Sequence, residues 1–285
     1  MLKHRLIFGT IMIAALGLLL YLDSKVIVSC CSVEIIGVVF AAIVALITIV
    51  AQFEMASLCK QKNCNVFLAV SIPCSIVLSL SFFLGQFGSD GRELEVVLWL
   101  QLFALTLATL GCFFFQAKSG KTEGTIANCG STLLSVLYLG FLASFVMAIR
   151  IDFGIAVLLM FILTIKSSDI GAYTLGRLFG KRKFAPSISP GKTWEGMGGA
   201  CLFAAIVGAL FALSIDGLSA FQGVIFGIIF AFAGQLGDLA ESMLKRDSQM
   251  KDSGAKLPGF GGVLDVLDSP VATAAAAYLF FSLCL

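Results

Sequence analysis

Asp238, Glu241, Ser242 and Lys245 are spaced i, i+3, i+4 and i+7. A helix through them puts two carboxylates, a hydroxyl and an ammonium on one face, with Arg246 beside it. Asp265 and Asp268 repeat the i, i+3 spacing further on. Between the two sets lie Lys251-Asp252-Ser253-Gly254, which ends the helix, and the turn-rich Leu257-Pro258-Gly259-Phe260-Gly261-Gly262. Ten of the chain's 19 basic and 17 acidic residues fall between Asp238 and Asp268. Carboxylates hold hard divalent cations and Lys or Arg hold phosphates, so the mixture points to metal-assisted phosphate chemistry. Oxygen ligands of this kind suit Mg2+, which takes one or two carboxylates and leaves positions for water and substrate phosphates. The bland alternative is a solvated loop, with Asp268 serving a helix amino terminus.

A second concentration of polarity lies upstream. Lys166, Asp169, Tyr173 and Arg177 share one face of an otherwise apolar helix. A charge near the middle of a bilayer costs about 2.5–3.5 kcal/mol on insertion scales. Lys166 and Asp169 therefore either neutralise each other or line a polar cavity. The loop that follows carries Arg177, Lys181, Arg182 and Lys183, then Ser189-Pro190-Gly191-Lys192-Thr193-Trp194-Glu195-Gly196. Its Gly-Lys-Thr is not read as a P-loop, because Pro186 stands where that motif needs glycine, and the motif also needs a preceding strand and a following soluble helix. A basic loop bent by Gly and Pro still suits phosphate binding through backbone N–H groups and Lys192.

These residues need a scaffold, and the composition says what kind. The chain of 285 residues is 59% apolar and only 13% charged, against about 25% charged in soluble domains. Apolar runs long enough to span a bilayer occur at about 6–22, 33–52, 65–85, 95–116, 131–148, 153–176, 197–214, 219–237 and 267–284. The expectation is an all-α polytopic integral membrane protein of about nine transmembrane helices. Residues 1–150 would be scaffold and lipid-facing wall, and residues 151–285 would carry the chemistry on two polar loops. Met1 to Arg5 followed by an apolar run reads as an uncleaved signal-anchor helix. Of the 19 Lys and Arg, 15 lie at the amino terminus or in the loops after spans two, four, six and eight. That asymmetry puts the amino terminus and both polar loops in the cytoplasm and the carboxyl terminus outside. The nine cysteines form no CxxC and the only histidine is His4, so they read as small apolar residues near lipid, not as zinc or iron–sulfur ligands.

The carboxy-terminal third resembles the phosphatidate cytidylyltransferase (CDP-diacylglycerol synthase) family. The resemblance rests on Ser242-Met243-Leu244-Lys245-Arg246, then Lys251-Asp252, Pro258-Gly259-Phe260-Gly261-Gly262 and Asp265-Val266-Leu267-Asp268. Asp169-Ile170-Gly171-Ala172-Tyr173, Ser189 to Gly196, and Gly237-Asp238-Leu239-Ala240-Glu241 add to it. Two positions depart from the family pattern: Phe260 replaces a histidine and Val266 an arginine. The resemblance implies a Mg2+-dependent transfer of a cytidylyl group from CTP to phosphatidic acid, giving CDP-diacylglycerol and pyrophosphate at the cytoplasmic face of the plasma (inner) membrane. It implies Asp238 and Asp265 as metal ligands, with Asp252 and Asp268 as weaker ones, and leaves room for a second cation such as K+. Lys192, Lys245 and Arg246 would grip phosphates, with Arg177, Glu241, Ser242 and Lys251 around the substrates. Ser189 and Thr193 would orient the basic loop, and Asp169 and Tyr173 would line the cavity floor. The expected partners are CTP, phosphatidic acid and the bilayer, with no nucleic acid. The frequent Gly and Ala of the last four spans allow close helix packing, within one chain or in a homodimer.

Two rivals stay open on sequence alone. Another CTP-dependent lipid enzyme, such as a polyprenol kinase, would move the γ-phosphate instead of the cytidylyl group. A transporter would suit intramembrane charges, but no internal repeat accompanies them.

Overall fold

The computed structural model describes residues 17–30, 33–88, 91–250, 253–254 and 261–285. Among these residues the regular structure is helical except for two antiparallel hairpins. The chain divides into two compact units. One comprises Met1–Ile151 with Asp247–Val266, the other Asp152–Arg246 with Leu267–Leu285.

In the first unit a helical stretch, α1 (residues 17–25), leads into the hairpin β1 (Val28–Cys30) and β2 (Val33–Ile35). The helices α2 (Val38–Lys60), α3 (Leu68–Ser79), α4 (Ser81–Gly85), α5 (Glu93–Lys118), α6 (Thr125–Val136) and α7 (Ala143–Asp152) follow, α7 reaching one residue past the unit. A single π-helical turn, Leu137–Leu142, joins α6 to α7. Polar side chains stitch this unit together. Gln52 Nε2 donates to Ser75 Oγ at 2.7 Å and to the Ser135 carbonyl at 3.1 Å. Asp23 and Arg150 form a buried ion pair at 2.6 Å, and Asp23 also accepts from the Phe40 N–H at 3.0 Å. Such partners are required because a buried polar group without one is costly.

The second unit contains α8 (Gly154–Phe179), the hairpin β3 (Lys183–Ala185) and β4 (Ser189–Thr193), α9 (Trp194–Ala212), α10 (Ala220–Asp247) and α11 (Leu264–Cys284), the last two each sharing an end with the first unit. Its helices touch through small residues. A Cβ on Gly171 of α8 would collide with the Gly199 carbonyl of α9, and one on Gly227 of α10 with the backbone of Ala204 in α9. Phe226, Phe230, Phe280 and Phe281 fill the space between α10 and α11 with ring centroids 4.3–6.3 Å apart. Gly171→Val is expected to destabilise by about 3 kcal/mol, since backbone cannot move aside as a side chain can. Gly198→Ala on the neighbouring α9, where a Cβ meets nothing within 4 Å, should be neutral or slightly stabilising. Thermal unfolding of the two variants in detergent checks the contrast.

Seven helical segments among the described residues are long and apolar enough to cross a membrane: α2, α5, the continuous α6–α7, and α8 to α11. The chain is thus an all-α, membrane-embedded protein of polytopic type. The first expected span, 6–22, lies mostly outside the described residues, which are helical from 17 to 25. The expectation of one continuous span over 65–85 is corrected. α3 has 12 residues and ends at Leu80, whose φ of −97° and ψ of 3° leave the helical region. At 1.5 Å per residue α3 alone covers about 18 Å, and α4 resumes at Ser81 after the break. Ser71, Ser75, Ser79 and Ser81 are all buried along this broken stretch, and Ser79 Oγ donates to the Ile76 carbonyl at 3.2 Å.

Candidate active site

The site belongs to the second unit and is assembled from α8, α10, α11 and the β3–β4 hairpin. α10 runs without a break to Asp247, so Asp238, Glu241, Ser242 and Lys245 do share one helical face. The segment expected as an irregular loop is instead a hairpin, with Lys183 opposite Thr193 and Ala185 opposite Ser189. Local chemistry explains it. The Thr193 side chain caps α9 by accepting from the Gly196 N–H at 3.1 Å. Glu195, in the first turn of α9, accepts from the N–H groups of Lys181 at 3.0 Å and Arg182 at 3.2 Å, which ties down the hairpin's base. Phe184 packs edge-on against Trp194 at 4.8 Å.

The hairpin delivers Lys192 to α10. Its ammonium lies 2.9 Å from Asp238 Oδ2 and donates to the Gln235 carbonyl at 3.0 Å. Lys245 pairs with Glu241 one turn earlier on α10. Ser242 Oγ donates to Asp238 Oδ1 at 3.3 Å. Asp268, on α11, completes a triad: one carboxylate oxygen from each of Asp238, Glu241 and Asp268 lies within 4.8 Å of the others. Asp268 Oδ1 accepts from the Ser269 N–H at 2.6 Å. On α8, Lys166 pairs with Asp169 at 3.5 Å. Asp169 also feels the charges of Asp238 and Lys192, and Asp268 those of Lys166, Asp238 and Asp169.

Four carboxylates and three ammonium groups therefore meet here, leaving one excess negative charge when all are ionised. Glu241 and Asp268 are buried, while Asp238 is half-open to solvent. Three converging carboxylate oxygens are a hard donor set that fits a divalent cation of the Mg2+ type and offers nothing soft for zinc or copper.

The remaining expected residues fall as follows. Asp265 is in the first turn of α11, where its Oδ2 accepts from Ser253 N, Ser253 Oγ and Gly262 N at 3.0, 2.8 and 2.7 Å. Tyr173 and Arg177 pair with each other at 2.9 Å on an exposed face of α8. Arg246 is exposed and donates to the Ile188 carbonyl at 3.3 Å. Ser189 starts β4, and Thr193 acts on the α9 terminus. Lys251, Asp252 and Phe260 lie outside the described residues. Sequence reasoning assigned Glu241 to substrate and passed over Lys166 as a site residue. The i, i+4 pairing of Glu241 with Lys245 was visible, but burial decides its place in the triad.

A sequence profile of the cytidylyltransferase family matches residues 3–284. The chain belongs to this family. The profile match runs through every member of the triad and all three lysines. Among curated relatives, the phosphatidate cytidylyltransferase of Mycobacterium bovis is 30% identical over 257 residues, covering 86% of this chain and 81% of its own length. The Bacillus subtilis protein of the same name is 35% identical over 230 residues, 77% of this chain and 80% of the relative. The one from Brucella suis is 41% identical over 169 residues, and there the chain spans 59% of the relative's length.

Proposed function

We propose that this chain is a phosphatidate cytidylyltransferase, making CDP-diacylglycerol and pyrophosphate from CTP and phosphatidic acid. The observation that carries the reading is the Asp238–Glu241–Asp268 triad flanked by Lys192 and Lys245, set into apolar helices of a cytidylyltransferase-family chain. A lipid phosphate oxygen bonds to the α-phosphorus of CTP as the bond from that phosphorus to the bridging oxygen breaks, and pyrophosphate leaves. The nucleophile is already anionic, so no strong general base is needed, which makes the replacement of a histidine by Phe260 less damaging. The difficulty is bringing two anions together. Lys192, Lys245 and Arg246 offset that repulsion and hold phosphates, with Arg177 and Lys251 at the margin. Asp238, Glu241 and Asp268 would hold Mg2+, with room for a second cation such as K+; Asp265, expected as a ligand, instead accepts from Ser253 and Gly262. The bound metal supplies positive charge to the leaving pyrophosphate. Ser242 orients Asp238, Ser189 and Thr193 shape the basic hairpin, and Asp169 and Tyr173 line the floor of the polar region.

The same reading places residues 151–285 as the catalytic region and 1–150 as scaffold. It takes nine spans, an amino terminus and polar loops in the cytoplasm, and a carboxyl terminus outside, as the Lys and Arg distribution supports. Phosphatidic acid then keeps its tails in the inner-membrane leaflet while its headgroup meets cytoplasmic CTP. Purified protein in detergent, given phosphatidic acid, Mg2+ and CTP labelled at the α- or γ-phosphate, tests the reaction. The α-label is expected in the lipid product and the γ-label in pyrophosphate, with both lost on chelation. A γ-label entering lipid would mark a kinase and overturn the reading.

A further inference from the structure

Glu54 is the only acidic residue of α2, and it is buried at 3% exposure. Its carboxylate accepts from the N–H groups of Val263 at 3.1 Å and Leu264 at 2.9 Å, and lies 3.3 Å from Ser253 Oγ. The two amides are those at the start of α11, where a helix leaves its N–H groups without internal partners. Asp265, the local carboxylate, does not serve them. It turns back to Gly262 and Ser253. The single Ser253 hydroxyl proton thus has two carboxylates in reach, one from α2 and one from α11. Two glycines complete the arrangement. A Cβ on Gly254 would stand 3.0 Å from Glu54 Oε1, and one on Gly262 would collide with Glu54 Oε2 and Ser253 Oγ. Ser253, Gly254, Gly262 and Val263 are therefore arranged around a carboxylate some 200 residues away in sequence, whose burial is costly unless these donors meet it.

We propose that Glu54 is a positioning residue of the active centre: by capping α11 it sets the first turns of the helix that carries Asp265 and Asp268. The inference rests on the proposed role of α11 as the carrier of a metal-holding carboxylate. Glu54 touches no substrate and acts through the α11 backbone.

The test uses the full-length protein in detergent and two readouts that need no turnover. One is hydrogen exchange, read by mass spectrometry in peptides covering residues 262–268. The other is the rise in thermal midpoint on titrating MgCl2. Glu54→Gln keeps the volume but turns an –NH2 toward groups that are themselves donors. Exchange in 262–268 is expected to rise about tenfold while the first half of α2 stays protected. The Mg2+ concentration giving the half-maximal thermal rise should increase about tenfold, the range seen when residues supporting metal ligands are lost. Ser253→Ala, which removes only the shared hydroxyl, should move both readouts the same way by less. Wild-type exchange in 262–268 together with an unchanged Mg2+ midpoint in Glu54→Gln overturns the proposal, whatever the thermal midpoint without Mg2+. If Glu54→Gln is recovered only as aggregate, the same two readouts on Ser253→Ala decide it in the same way. A wild-type protein that responds to Mg2+ but turns over no CTP would sink the proposed reaction, while the two readouts would still decide the role of Glu54.

Discussion

Asp238→Asn is expected to lower CTP-dependent turnover of phosphatidic acid by about a thousandfold, equivalent to about 4 kcal/mol of transition-state stabilisation. The substitution keeps the side-chain volume and the Ser242 contact but removes the charge that meets Lys192 at 2.9 Å. Two effects then act together. The triad loses one of its three anionic oxygens, which weakens its hold on a divalent cation. Lys192 also loses its nearest counter-charge and keeps the Gln235 carbonyl and the more distant charge of Asp169. Because the Asp238 side chain is about one-third exposed, the fold should survive, and the thermal midpoint without Mg2+ should stay near that of the wild type. Initial rates across a Mg2+ titration check it. Near-wild-type turnover at ordinary Mg2+ would remove the triad from the reaction.

Arg150→Met is expected to destabilise the protein by about 3–5 kcal/mol, through the charge it leaves behind. Asp23 is fully buried and accepts from Arg150 Nε at 2.8 Å, from Arg150 Nη2 at 2.6 Å and from the Phe40 N–H near the start of α2 at 3.0 Å. Deleting the guanidinium strands that carboxylate with, among the described residues, one backbone donor. The double variant Asp23→Leu, Arg150→Met removes both charges and should recover most of the loss, because replacing a whole buried pair by apolar groups is often near neutral. Denaturant or thermal unfolding of the three proteins in detergent measures the coupling. Equal losses in the single and double variants would show that packing, and not the stranded charge, carries the effect.

These two sites differ in how far the sequence announced them. The face formed by Asp238, Glu241, Ser242 and Lys245 was readable because its spacing is local: four residues within two turns meet wherever the helix goes, and α10 does continue to Asp247. The Asp23–Arg150 pair spans 127 residues, and no period in the chain connects its members. Hydropathy located the long helices for a similarly local reason, since about 20 apolar residues cross a bilayer whatever packs beside them. It read 65–85 as one unbroken apolar run because a hydropathy window carries no signal for the backbone break at Leu80.

What the sequence determined by itself was the membrane-embedded helical character, the α10 face and the basic stretch carrying Lys192. Each follows from residue type and spacing over a few turns. Only the tertiary structure decided which acids converge. It drew Glu241 and Asp268 together with Asp238, brought Lys192 to their edge on a hairpin, and set Glu54 against the start of α11. A carboxylate's role depends on what surrounds it once buried, and those neighbours come from distant segments whose approach is set by side-chain volume and packing.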